Sequence, residues 1–201
     1  VIQAIKQAIG PGSVLVHARP RGGKGTQTVV LGKELGAPVF SSGDLSRSAD
    51  LPPEVAAIRD AGGLIPSEDF FRYVLPSIGG SAQADMPIVL DAVGRMYGEE
   101  QEVMRVMAEQ GHPIVAVVYI NVSEDETRRR GALGRKDGEV RADDGPEEHE
   151  NRLLWFRKHT LPVIDSYREL GLLVEVDGEL PIDVVTFDTF VGLHDLLVCG
   201  G

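Results

Sequence analysis

The sequence predicts a three-layer α/β fold: a central parallel five-stranded sheet with helices on both faces. Three observations lead there. Five short aliphatic runs alternate with helical patterns along all 201 residues, at the spacing of βαβ units. The runs are continuously apolar rather than alternating, as strands covered on both faces are. A glycine-rich loop, within VLVHARPRGGKGTQ (residues 14–27), joins the first run to the helix after it. Ligands of open α/β sheets sit beyond the carboxyl ends of the strands, so functional residues are expected at those ends.

The elements follow in chain order. VIQAIKQAIG has the apolar spacing of an amphipathic helix. Strands are expected at Val14–His17, Pro38–Phe40, Ile88–Leu90, Ile114–Asn121 and Leu172–Val176. Helices are expected at Lys24–Leu35, Pro53–Ala61, Ser67–Ile78, Glu99–Glu109, Glu124–Leu133, Pro146–Leu170 and Ile182–Leu197. Ser67 reads as the start of a capped helix. The stretch from Gly131 to Gly145, GALGRKDGEVRADDG, is polar, charged and rich in glycine, and reads as a mobile loop. Gly79–Asp85 reads as a second, smaller loop. The length suits one domain with an ample core.

Composition narrows the function. A formal net charge of −11 argues against a general nucleic-acid binder. It leaves room for a small anionic ligand held by a local cluster of arginines. One cysteine, Cys199, excludes an internal disulfide and a cysteine-based zinc site. No apolar run is long enough to span a bilayer and no long apolar leader opens the chain, so a cytoplasmic protein without a membrane partner is expected. His17, His112, His149, His159 and His194 have no partners at metal-ligand spacing and read as structural or solvent-exposed. Trp155 and Phe156 read as core.

The glycine loop carries the strongest signal. Strand, glycine loop, lysine, hydroxyl residue and helix is the layout of a phosphate-binding loop, or P-loop. Gly22, Gly23 and Gly25 let backbone N–H groups approach an anion, and the following helix points its positive dipole end at the same place. Lys24 adds a mobile charge and Thr26 a hydroxyl suited to a Mg²⁺ site. Two positions that usually hold glycine carry Ala18 and Arg21; alanine costs about 1 kcal/mol if the backbone at Ala18 needs positive φ. Arg21 either points outward or adds charge near a donor phosphate.

The variant GKGTQ resembles the loop of the adenylate kinase family of nucleoside monophosphate kinases, and the likeness continues in order over most of the chain. SSGDLSR (41–47) resembles that family's hydroxyl-Gly-Asp turn, implying that Ser42 and Gly43 border a nucleoside monophosphate and that Arg47 grips its phosphate. AGGLIPSE (61–68) resembles the segment leading the helix that walls the monophosphate pocket. VLDAVGR (89–95) is similar to LDGFPR, with Ala92, Val93 and Gly94 departing from it. It implies Asp91 as a Mg²⁺ ligand through water, Ala92 in the monophosphate site and Arg95 on the monophosphate and the transferring group. Residues 131–145 correspond to a short lid, without a zinc-binding quartet. Arg135, Arg141 and Arg152 match its catalytic arginines, with Asp143 and Asp144 beside Arg141. Arg130 matches the arginine that stacks on the donor base, with Arg129 as a rival.

The resemblance thus implies a monomeric kinase of the P-loop NTPase fold with ATP as donor and Mg²⁺ as cofactor. Lys24, Arg95, Arg135, Arg141 and Arg152 would be catalytic. Arg21, Gly22, Gly23, Lys24, Gly25, Thr26 and Arg130 would hold ATP. Ser42, Gly43, Arg47, Ala92, Arg95 and Glu99 would hold the monophosphate, within a segment of about residues 41–72. AMP is the expected acceptor. A glutamine of the family reads adenine where Glu99 stands here, which leaves another monophosphate such as GMP open. So are a non-catalytic nucleotide-binding protein with a degraded loop and a P-loop kinase with a non-nucleotide acceptor.

Overall fold

The computed structural model describes residues 1–78, 85–133 and 145–200. The elements are α1 (Ile2–Ile9), β1 (Ser13–Ala18), α2 (Lys24–Leu35), β2 (Val39–Ser41), α3 (Ser42–Ser48), α4 (Pro53–Asp60), α5 (Ser67–Asp69), β3 (Ile88–Asp91), α6 (Glu99–Glu109), β4 (Ile114–Asn121), α7 (Glu124–Ala132), α8 (Pro146–Trp155), α9 (Leu161–Glu169), β5 (Leu173–Asp177) and α10 (Ile182–His194). The five strands form one parallel sheet in the order β2-β3-β1-β4-β5. β1 is central, paired with β3 (Val14 beside Val89) and β4 (Leu15 beside Val117).

The two-residue period of a strand sends successive side chains to opposite faces, and β1 supplies both cores in this way. Val14, Val16 and Ala18 join Leu31 of α2, Val118 and Ile120 of β4, and Phe190 and Leu193 of α10 on one face. Leu15 joins Phe40, Leu90, Val117, Met107 of α6 and Tyr167 of α9 on the other. All six residues of β1 are buried, which is why Val14 to Val16 form an unbroken apolar run; the buried Ser13 is satisfied by donating to His112 O at 2.8 Å. A fully buried aliphatic side chain contributes about 1.5–3 kcal/mol, so this strand anchors the loop that leaves its end.

Three expectations change. The SGD segment is a helix, α3, not a turn: Ser41 caps it by accepting from the Asp44 amide at 3.3 Å. Ser67 does not cap α5, whose N-cap is Pro66; the Ser67 hydroxyl instead donates to Glu99. Two expected helices are interrupted by π turns, at Phe70–Val74 and Phe156–Thr160. The first runs into a 3₁₀ turn containing Pro76 and the second into α9, whose second residue is Pro162. Proline has no N–H for the helical ladder and its ring crowds the preceding turn, so a wider turn before it relieves the clash. A third π turn, Asp195–Cys199, follows α10 with no proline in or after it.

Positive φ in non-glycine residues is confined, among the described residues, to Arg21 (61°) and Ala92 (54°). Ala18 carries no such strain, so the cost weighed for it does not arise. Ala92 is pinned on both sides: its amide donates to Val16 O at 3.0 Å and its carbonyl accepts from Ser42 Oγ at 2.5 Å. A β-branched side chain is a steric outlier in this region. Ala92→Val is therefore expected to cost about 2–3 kcal/mol, whereas Ala92→Gly should stay within about 1 kcal/mol of native. Thermal denaturation of the two variants checks this; equal midpoints would show that the backbone here can relax.

Candidate active site

The loop after β1 is built for an anion. Gly22 sits in a tight turn, its amide donating to Arg19 O at 2.8 Å, and a Cβ there would lie 2.8 Å from that oxygen. Gly23 is the left-handed N-cap of α2, with φ 88°. Among the described residues, a Cβ on Gly25 would meet nothing within 4 Å, and one on Gly23 would meet Arg130 Nη1 at 3.8 Å. The first turn of α2 directs its positive dipole end at this loop, where an anion would be stabilised. Thr26 is exposed on that turn.

Lys24 leads α2 and forms an ion pair with Asp91, the last residue of β3. Neighbouring strand ends bring together two residues 67 positions apart. The Asp91 carboxylate and the Thr26 hydroxyl are hard oxygen donors, the chemistry Mg²⁺ takes, so the residues present fit that ion.

Arg130 and Arg129 part company. Arg129 is exposed and, among the described residues, holds Glu126, through Nε at 2.6 Å and Nη2 at 2.7 Å. Arg130 reaches Gly178 O at 2.8 Å and lies over Gly23. Of the two rivals, Arg130 is the one placed at the loop. The Arg21 side chain turns toward the end of α7, where a Cβ on Gly131 would lie 3.5 Å from its Cδ. Arg19, which sequence reasoning passed over, is a structural lock. It donates to Tyr119 Oη at 2.7 Å, Asn121 Oδ1 at 2.9 Å and Val122 O at 2.9 Å, and its guanidinium lies 5.4 Å from the Phe156 ring centre.

Beside the loop a shallow cleft opens among Ser42 and Ser46 of α3, Leu64, Ile65, Phe70, Ala92, Arg95 and Glu99. Ser42, Ala92, Arg95 and Glu99 were expected here. Ser46, Leu64, Ile65 and Met96 were not singled out; the only signal in sequence was their place beside SGD, in GLIPSE and after Arg95. Gly43 and Arg47 lie next to it on α3, where Arg47 pairs with Asp44 and lies 3.5 Å from the position of a Gly43 Cβ. Arg152, on α8, packs its Cγ 3.2 Å from the position of a Gly62 Cβ. Gly62 has φ 78° and would clash with Glu148 O at 2.9 Å if it carried a side chain. Arg135, Arg141, Asp143 and Asp144, most of the lid segment and the loop at 79–84 lie outside the described residues.

Glu99 is almost fully buried. Its Oε1 accepts from Ser67 Oγ at 2.8 Å, and its Oε2 accepts from the Arg95 amide at 2.8 Å and the Met96 amide at 3.0 Å. Burial raises its pKa, against the opposing pull of these donors and of Arg95. It is more than an acidic residue in a first turn: it ties the Arg95 loop to α5 while lining the cleft.

His17, read as structural, sits at the junction of loop and cleft. Its ring stacks on Tyr167 at 6.5 Å between centroids. Among the described residues no hydrogen-bond partner reaches its Nε2. Burial first, then Lys24 and Arg95, lower its pKa from 6.5 to about 3. The imidazole is thus neutral in the fold while the unfolded chain takes up a proton below pH 6.5. Its contribution to stability is full above that value and is lost as the pH falls toward 3, at up to about 1.4 kcal/mol per pH unit. Glu99 works in the opposite sense, since an acid with a raised pKa binds its proton more readily in the fold. His17→Leu is expected to flatten the stability profile between pH 6.5 and 4 relative to native; urea denaturation across that range reads the difference, and parallel profiles would exclude this origin.

The fold and this arrangement define a nucleotide-binding protein of the P-loop class. The comparisons agree. No family model matches the chain. It is 32% identical over 204 residues to an adenylate kinase of Dehalococcoides mccartyi, covering 87% of this chain and 94% of that protein. It is 35% identical over 182 residues to an adenylate kinase of Clavibacter michiganensis, covering 86% and 88%. A gluconokinase of Sinorhizobium meliloti superposes with a TM-score of 0.64 over 93% of this chain and 94% of that one, at 19% identity, and shares the fold. The chain belongs to the adenylate kinase family, and it is a phosphotransferase. Among the described residues no helix is long and apolar enough to cross a membrane.

Proposed function

We propose that this protein is a nucleoside monophosphate kinase that transfers the γ-phosphoryl group of ATP to AMP, giving two ADP. The single observation that carries the reading is the convergence of the Lys24–Asp91 pair at the phosphate loop with a neighbouring cleft lined by Arg95, Ser42 and Glu99. An oxygen of the acceptor's phosphate bonds to the γ-phosphorus as the bond to the β-bridging oxygen breaks, and that oxygen leaves on ADP. The acceptor is already an anion, so no general base is needed. Alignment and neutralisation of charge supply the rate. Loop amides and Lys24 hold the donor's outer phosphates, with Arg130 against the donor side. Arg95 and Arg47 orient the acceptor. Arg152, on α8, would add charge, and by resemblance so would Arg135 and Arg141, which lie outside the described residues. Mg²⁺, held by Asp91 through water and by Thr26, would neutralise the donor phosphates when bound. The named adenylate kinase relatives support AMP as acceptor.

One observation favours a second acceptor, GMP. The Glu99 carboxylate in the cleft is acceptor-only when ionised, and guanine offers two donors on the edge where adenine offers one donor and a lone pair. A coupled turnover assay against AMP, GMP, CMP and UMP decides the substrate. If Glu99 reads the base, Glu99→Gln should raise the ratio of AMP to GMP kcat/KM by about 10-fold or more, on the scale of a gained hydrogen bond and a relieved repulsion. An unchanged ratio would remove Glu99 from base recognition.

A further inference from the structure

At the far end of the last helix the structure gathers three unlike metal donors. His194 closes α10, Asp195 opens the π turn that follows, and Cys199 closes that turn. His194 Nδ1 lies 3.7 Å from Cys199 Sγ and 3.7 Å from Asp195 Oδ1. One donor atom from each residue lies within 4.8 Å of the other two. Zinc bonds of about 2.0–2.1 Å to nitrogen, about 2.3 Å to thiolate sulfur and about 2.0–2.2 Å to carboxylate oxygen set tetrahedral edges of about 3.6 Å for N···S and about 3.4 Å for N···O. The observed separations are within a few tenths of an ångström of both edges, so an ion could be gripped with small side-chain adjustments.

Sequence spacing hides this cluster. The expectation that one cysteine excludes a cysteine-based zinc site is corrected by it: a single thiolate can join an imidazole and a carboxylate in a mixed donor set. Residues five apart on a helix of 3.6 residues per turn point roughly 140° away from each other, so His194 and Cys199 do not read as partners. The π turn, with its wider i→i+5 closure, puts them on the same face. The other two π turns each lead into a proline; this one does not.

We infer that His194, Asp195 and Cys199 form a binding site for one divalent cation of borderline softness, with Zn²⁺ as the best match and water as the fourth ligand. The donor set selects the ion: thiolate and imidazole suit Zn²⁺ and exclude Mg²⁺, which takes hard oxygens. Binding converts the Cys199 thiol to a thiolate and releases its proton to solvent, so affinity rises with pH. The residues are partly or fully exposed, which gives the ion an entry path. The ion would link the end of α10 to the turn beyond it, far from Lys24 in sequence and with donors different from those at the nucleotide site. The inference does not rest on the kinase reading.

The test is a Co²⁺ titration of the whole, nucleotide-free protein. Cys199 is the sole cysteine, so any thiolate-to-cobalt charge-transfer band reports this site. The expected result is such a band in the near ultraviolet, with visible bands of tetrahedral cobalt, saturating at one ion per chain and displaced by Zn²⁺ but not by Mg²⁺. Cys199→Ser should abolish the charge-transfer band, and His194→Gln and Asp195→Asn should each weaken binding by about tenfold or more. Zn²⁺ should also slow alkylation of Cys199 severalfold in the native protein. Circular dichroism confirms that each variant keeps the native fold. No thiolate band, affinity unchanged in the variants, or alkylation indifferent to Zn²⁺ would each overturn the site.

Discussion

Lys24→Ala is expected to lower phosphoryl-transfer turnover by about 10²–10³-fold, the scale for removing one preorganised charge from a transferring group (roughly 2.7–4 kcal/mol). The substitution also leaves Asp91, largely buried, without the ammonium that faces it. Removing one partner of a largely buried ion pair costs about 3–5 kcal/mol, so the melting temperature should fall as well. The two effects separate. Adding Asp91→Asn to Lys24→Ala removes the stranded charge and should restore most of the thermal midpoint, while turnover of Lys24→Ala alone, assayed well below its midpoint, stays low. Recovery of turnover together with the midpoint would mean that Lys24 acts only through folding.

Arg95 gives the second large effect. It lines the cleft, its charge reaches both His17 and Glu99, and its backbone is fixed by Glu99 and by Thr160, whose hydroxyl donates to Arg95 O at 3.1 Å. Arg95→Ala should reduce kcat/KM for the monophosphate by about 10²–10³-fold. Arg95→Lys should recover little of it, because lysine restores the charge but not the planar fork that matches phosphate oxygens. Steady-state kinetics of both variants read this, and a lysine variant close to native would reduce Arg95 to a point charge.

Much of this was legible in sequence for physical reasons. A strand covered on both faces is mostly apolar, so β1, β3 and β4 announced themselves to within a residue at either end. The edge strands β2 and β5, which expose Val39, Glu175 and Asp177, were found from their short aliphatic runs. Lys24 and Gly22–Gly25 were legible because phosphate binding needs a particular order of residue types. What stayed hidden depends on geometry that no local pattern carries. The strain at Arg21 and Ala92, rather than Ala18, follows from how β1 and β3 hold their loops. Arg129 and Arg130 are indistinguishable until α7 fixes which of them faces Gly23. Glu99 looks like any acidic residue in a first turn until Ser67 and two amides are seen to converge on it. Leu64, Ile65 and Met96 wall the cleft but read only as apolar punctuation. His194 and Cys199 meet because one turn is wider than a helix allows.

Phosphoryl transfer between nucleotides is read directly by product formation from ATP, Mg²⁺ and AMP, followed by phosphorus NMR. The ATP γ-signal should fall and ADP should appear at two molecules per AMP consumed in the native protein, and both changes should be about 10²–10³-fold slower in Lys24→Ala. Tight binding of ATP with no ADP formed from any monophosphate would contradict it and leave a nucleotide-binding protein without transfer.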